Sequence, residues 1–180
     1  MYISKPYKGR PVDIENRQDK EKRCYDFLDS LGVEYEVVDH DEASDMEKCK
    51  EIEGTLGVKI CNNIVLCNRQ ETKFFLFMMP GDKKYVTKDI SKKLDMSRLS
   101  FAKENYLKEF LDVTPGSVSV LGLLNDKDNR VELVIDKDVI QADFIRCHPC
   151  ENTSTLKIST EDFLNKIIPA LGKEAKIIDN

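Results

Sequence analysis

Apolar residues change their spacing several times along this chain, and each change marks a predicted element. Cys24, Phe27, Leu28 and Leu31 fall at i, i+3, i+4 and i+7, one face of an amphipathic helix that Gly32 closes. "VEYEVVDH" (33–40) alternates as a strand, and Met46, Cys49, Ile52 and Leu56 restore helical spacing as far as Gly57. "KICNNIVLCN" (59–68) and "KFFLFMMP" (73–80) are two β-rich apolar runs about a short polar turn, which predicts a hairpin. "TKDISKKL" (87–94) and "AKENYLKEFL" (102–111) predict short helices, the second with Tyr106, Leu107, Phe110 and Leu111 on one side. "SVSVLGLLND" (117–126) and "RVELVID" (130–136) flank a polar turn, so a second hairpin is expected there. "FIRCH" (144–148) and "STLKI" (154–158) predict strands. "STEDFLNKIIPAL" (159–171) begins with a Ser159-x-x-Asp162 start signal and predicts a helix shortened or kinked by Pro169. "AKIID" (175–179) predicts a last strand.

Hairpins interleaved with helices, rather than strict β-α-β alternation, point to a mixed α/β fold with a mixed sheet partly wrapped by helices. No repeat, low-complexity tract or linker divides the chain. Residues 1–14 read as an irregular arm and 15–180 as one domain, which 180 residues can fill with a sizeable core. No apolar run approaches the roughly 20 residues a membrane helix needs, and the N-terminus lacks the apolar stretch of a secretory signal. A cytoplasmic location is the expectation. There the 6 cysteines would be reduced, and a disulfide framework is not expected in a chain of this length. The net charge of −5 argues against broad nucleic-acid coating, though not against a local contact.

Candidate chemistry centres on "CHPCENTST" (147–155), a Cys-x-x-Cys wrapped around one of 2 histidines. A redox dithiol would want a helix start after the motif, whereas loop and strand follow. Zinc would need two more ligands, from Cys61 and Cys67 or a histidine, at a spacing that matches no known knuckle pair. A binding loop in which the cysteines simply pack is the third reading.

"MMPGDKKYVTKDISKKL", "RLSFAKENYLKEFLDVTPGSVSVLGLLNDKDNRVELVIDKDV", "CHPCENTST" and "DFLNKIIPALGKEAKIID" together resemble the free-standing prolyl-tRNA editing proteins, YbaK-like deacylases related to the editing insertion of bacterial prolyl-tRNA synthetases. The resemblance runs from about residue 20 to the C-terminus. It implies a single domain with a partly barrel-like sheet, and hydrolysis, in trans, of alanine attached to tRNA for proline. No metal, cofactor, DNA or membrane is implied; the partners are that tRNA and, as a candidate, the synthetase. The competing expectation is a protein of the same fold that binds an aminoacyl group or amino acid without hydrolysing it.

The resemblance also distributes roles. His148, Pro149, Asn152 and Thr153 become the working parts of the opening motif, with Cys147 and Cys150 as wall. Gly116, Ser117 and Val118 would present backbone N–H groups to a carbonyl or terminal ribose; an ordinary turn is the alternative. Asn125 and Asp126 would bond neighbouring loops or the substrate amine, and His40 matches a family position although Asp41 stands where a proline is usual. Lys83, Lys84, Lys88, Lys92 and Lys93 form a basic group that would meet acceptor-stem phosphates or simply face solvent. One departure stands out. In "CNNIVL", Asn62 takes the place of a family lysine, with Asn63 at the family asparagine, and Lys59 cannot stand in because an odd offset along a strand reverses the face.

Overall fold

The computed structural model describes all of residues 1–180. Nine strands form two sheets. The first, antiparallel throughout, has the order β1 (Tyr7–Lys8), β2 (Tyr35–Asp39), β8 (Ser154–Ser159), β7 (Phe144–Cys147). The second is mixed, with the order β5 (Leu99–Phe101), β3 (Cys61–Asn68), β4 (Phe74–Pro80), β6 (Val131–Asp136), β9 (Ala175–Ile178). β3 and β4 make the expected hairpin, whereas β6 runs parallel to β4 and β9 parallel to β6. The β7–β8 hairpin lies within the crossover from β6 to β9 and so joins the two sheets covalently.

Central position explains the composition of β4. Phe74, Leu76 and Met78 join the core shared with Val37, Ile145 and Leu156 of the first sheet. Phe75, Phe77 and Met79 pack on the other face with Ile90 of helix α3 (Thr87–Lys93) and with Leu94 just after it. A strand covered on both faces reads as an unbroken apolar run.

Helix α1 (Asp19–Ser30) starts with a reciprocal Gln18–Glu21 capping box, and α2 (Met46–Leu56) is capped by Asp45, whose carboxylate accepts from Lys48 N–H at 2.9 Å. Gly57 closes α2 at φ +67°, a left-handed position that suits glycine. Ile52 and Leu56 of α2 pack on Val38, so α2 covers the outer face of the first sheet. The predicted 102–111 helix forms as Glu104–Tyr106 (α4) running into a π-turn, Leu107–Leu111, and a short α5 (Lys137–Gln141) follows β6. The 159–171 helix opens at Thr160–Asp162 with Ser159 capping it, widens into a π-turn over Phe163–Ile167, and ends in Ile168–Ala170.

The second hairpin does not form. Val120–Asn125 is a 3-10 turn, and β6 already has a neighbour on each edge, leaving no edge for a hairpin partner. Val120, Leu121, Gly122 and Leu123 are all buried, and a short run buried on every side does not distinguish strand from helix by its period. Gly122 is held against Leu111: a Cβ there would lie 3.1 Å from the Leu111 carbonyl oxygen. The 1–14 arm is irregular over most of its length but adds β1 to the edge of β2, with Ile3 bridging His40.

Candidate active site

The β7–β8 turn carries the Cys-His-Pro-Cys motif, and its histidine is fixed from one side. A backbone carbonyl only accepts, so the 2.8 Å contact to Ser154 O makes His148 Nδ1 the protonated nitrogen and leaves Nε2 as an open acceptor. The supports continue outward: Ser154 Oγ donates to Asp39 at 2.6 Å, and Asp39 also accepts from Arg17 at 3.1 Å and Tyr7 at 2.8 Å. Ser119 Oγ donates to the His148 carbonyl at 2.6 Å, tying this turn to the one that holds Gly116. Desolvation, and then the nearby Arg146 charge against the raising effect of the Ser154 carbonyl, push the partly exposed His148 ring down to about 4. It is neutral at pH 7.

His40 stands beside it, the ring centroids 6.3 Å apart at 61°. Both its nitrogens are occupied: Nδ1–H donates to the Asp41 carbonyl at 2.8 Å, and Nε2 accepts from Thr155 Oγ1 at 2.8 Å. The pair resembles a hydroxyl nucleophile with its base, but Thr155 is 0% exposed, so no ester reaches it. His40 therefore supports the wall: its N–H donates to the Thr153 carbonyl at 2.9 Å.

The three glycine-loop residues differ in how their polar groups are bonded. Ser117 N–H donates to Thr114 O at 3.0 Å and its hydroxyl is bonded within the same turn, whereas Gly116 and Val118 N–H have no protein acceptor. Gly116, at φ +90°, comes close to Asn152; a Cβ on it would lie 3.7 Å from Asn152 Nδ2. Asn152 Nδ2 donates to Ala43 O at 3.2 Å while its Oδ1 is buried without a partner. Pro149 is buried beneath the turn.

Strand β3 approaches β7 along the part of its edge that β5 leaves open. The register places Asn63 opposite Met78 and Asn62 opposite Met79, so the two asparagines face opposite sides of the sheet. Asn63 shares the inner face with Cys61 and Val65, and its Oδ1 is buried and unpaired; Asn62 faces the α3 side with Ile64. Asn125 and Asp126 act within the fold. Asn125 donates to Leu111 O at 3.0 Å. Asp126 accepts from Arg130 and Val131 N–H, both at 2.8 Å, and pairs with buried Lys173 at 2.7 Å. Their carboxylate and amide are spent on the turn, which is the loop-bonding alternative for these residues.

The cysteines of the motif lie in the core with Cys24, whose Sγ is 3.6 Å from Cys150 Sγ. Burial holds the Cys147 thiol well above its usual range, far from the thiolate a redox dithiol uses. No group of three or more His, Cys, Asp or Glu side chains is disposed to hold a metal ion. Of the predicted basic group, Lys83 is withdrawn into a cluster with Asp136 at 2.9 Å and Asp138 at 2.7 Å. Lys88 and Lys92 instead line a groove of about 690 Å³ with Arg98, which sequence reading missed, beside the 62% exposed Phe101. Arg146 projects from β7 under α2, where its Nη1 donates to the Cys49 carbonyl.

Residues 40–166 match the model of the aminoacyl-tRNA editing domain, more than half of the chain. The chain belongs to the aminoacyl-tRNA editing family. Within it, the chain is 33% identical over 152 residues to the prolyl-tRNA editing protein ProX of Acetoanaerobium sticklandii, covering 84% of this chain and 92% of that one. It is 28% identical over 156 residues to prolyl-tRNA synthetase associated domain-containing protein 1 of Danio rerio, 86% of this chain and 81% of that one. A solved structure provisionally described as a trans-editing enzyme for prolyl-tRNA synthetase superposes with a TM-score of 0.66 at 14% identity, covering 92% of this chain and 99% of the other, a likeness that speaks to the fold. The editing-domain match spans His40, the Asn62–Asn63 pair, the Gly116 turn and the His148 turn.

Proposed function

We propose that this editing-family protein hydrolyses, in trans, the ester joining alanine to tRNA for proline. The observation that carries the reading is the set of unspent polar groups on β3 and on the turns that hold Gly116 and His148. His148 Nε2, Asn152 Oδ1 and Asn63 Oδ1 are acceptors without donors, suited to the three N–H donors of an α-ammonium group. Gly116 and Val118 N–H are donors without acceptors, suited to the ester carbonyl as it becomes an oxyanion. A water adds to the carbonyl carbon, the bond to the ribose oxygen breaks, and that oxygen leaves with a proton ultimately supplied by the water. No serine hydroxyl is paired with an open histidine nitrogen, so direct attack by water fits these residues better than an acyl-enzyme.

A synthetase pocket for proline rejects the smaller alanine only by about 1–3 kcal/mol, and a second, smaller site removes the error. Lys88, Lys92, Arg98 and Phe101 are candidates for contact with the tRNA backbone and an unstacked base. Asn62, on the α3 face, lies toward that surface rather than toward His148, which suits a contact with the nucleotide rather than the amino acid. The test is release of alanine and of proline from tRNA for proline charged with each. Faster release of alanine is expected; equal release, or release of proline alone, overturns the assignment.

A further inference from the structure

Arg146 is a buried cation without an acid. It is 5% exposed, and its one protein hydrogen bond runs from Nη1 to the Cys49 carbonyl of α2 at 3.3 Å. No carboxylate lies within ion-pair distance, whereas the buried lysines, Lys20 and Lys173, have Glu151 at 2.9 Å and Asp126 at 2.7 Å. A guanidinium carries five N–H donors, and only one of these has a protein acceptor. Ile145 and Cys147 point into the core, so Arg146 points the other way, to the face of the first sheet that α2 covers, where it neighbours Cys61 at the start of β3. His148 follows two residues later, and the Arg146 charge is near enough to disfavour protonation of both histidine rings.

We propose that Arg146 binds the carboxylate of the amino acid once the ester is cleaved. This rests on the aminoacyl reading of the site, and extends it. A guanidinium meets a carboxylate with two parallel N–H···O bonds, while His148 Nε2, two residues on, and Asn152 Oδ1, whose amide donates to Ala43 just before α2, take the ammonium. A site so equipped holds a free small α-amino acid as a ligand in its own right, and the released amino acid competes with substrate.

Calorimetric titration of the protein with L-alanine and with L-alaninamide separates this from deacylation itself. The amide keeps the ammonium and side chain but lacks the carboxylate. Wild type is expected to prefer alanine by about 10-fold or more, the worth of a charge-assisted bond. Arg146→Gln should bring the two affinities together, and Arg146→Lys should restore part of the preference. Thermal unfolding of each variant reports whether it folds, and Arg146→Met is the second neutral variant if glutamine does not. An unchanged preference in Arg146→Gln overturns the inference, as does a wild type that binds neither compound or both equally. If wild type deacylates but shows no carboxylate preference, the inference fails alone. If it binds alanine through Arg146 but releases none from tRNA, the deacylase reading fails and the amino-acid site stands.

Discussion

Acid should destabilise this protein well above the pH at which its carboxylates protonate, and His148 should be a main reason. Its folded-state value is about 4, against about 6.5 for an unfolded histidine. The unfolded chain therefore binds the proton first, and stability falls as pH drops below about 6.5, levelling off once pH passes the folded value. For one group the full shift corresponds to about 3 kcal/mol, of which about 2 kcal/mol is lost between pH 7.5 and 5. Solvent reaches part of the ring, so we expect about 1–2 kcal/mol over that interval. His40, also lowered by burial, adds loss of the same sign, whereas Asp39, held low by Arg17, Ser154 and Tyr7 against its own burial, gives way only at lower pH. The assay is urea unfolding of wild type and His148→Asn at pH 7.5 and 5. Asparagine keeps an N–H for the Ser154 carbonyl and does not titrate, so its pH loss should be smaller by that amount. Equal losses in the two proteins would refute the claim that His148 is kept neutral by its surroundings.

Other expectations follow from the same contacts. Asp126→Ala takes the acid from buried Lys173 and the acceptor from the buried Val131 N–H, and should cost about 3–5 kcal/mol in urea unfolding while leaving kcat/KM of the folded fraction unchanged; a stable variant with altered substrate affinity would return Asp126 to the binding site. Replacing Cys147 and Cys150 by Ala should cost stability, about 1 kcal/mol each, but leave alanine release largely intact; a dead, folded double variant would make the thiols functional. Asn63→Ala should slow alanine release at low ionic strength and high alike, whereas Asn62→Lys should speed it mainly at low ionic strength, because a cation on the α3 face acts on the nucleotide. Unchanged rates in both would remove this end of β3 from the site.

The local periods carried most of the elements. Met46, Cys49, Ile52 and Leu56 located α2 to within a residue, and the β3–β4 hairpin followed from its apolar runs and polar turn. What failed was the 117–126 segment, where burial on all sides removed the contrast that a period needs. Parallel pairing of β6 with β4 and β9 was not legible either, since nothing local encodes a partner more than 40 residues away. For the site, the resemblance marked His148, Asn152 and Gly116, but pairing decided the rest: Ser117, His40 and Asp126 turned out to be bonded within the fold. Arg146 carried no signal in sequence, because a lone arginine in a strand looks like a solvated side chain until its burial and missing acid are seen.

The central claim is that the groups between β3 and the β7–β8 turn release alanine from tRNA for proline. Its most direct test is single-turnover release from that tRNA charged with alanine or proline, by wild type and His148→Ala side by side. Wild type should release alanine faster than proline, and His148→Ala, still folded, should lose rate or lose that preference. A folded His148→Ala variant with the wild-type rate and the wild-type preference would contradict it.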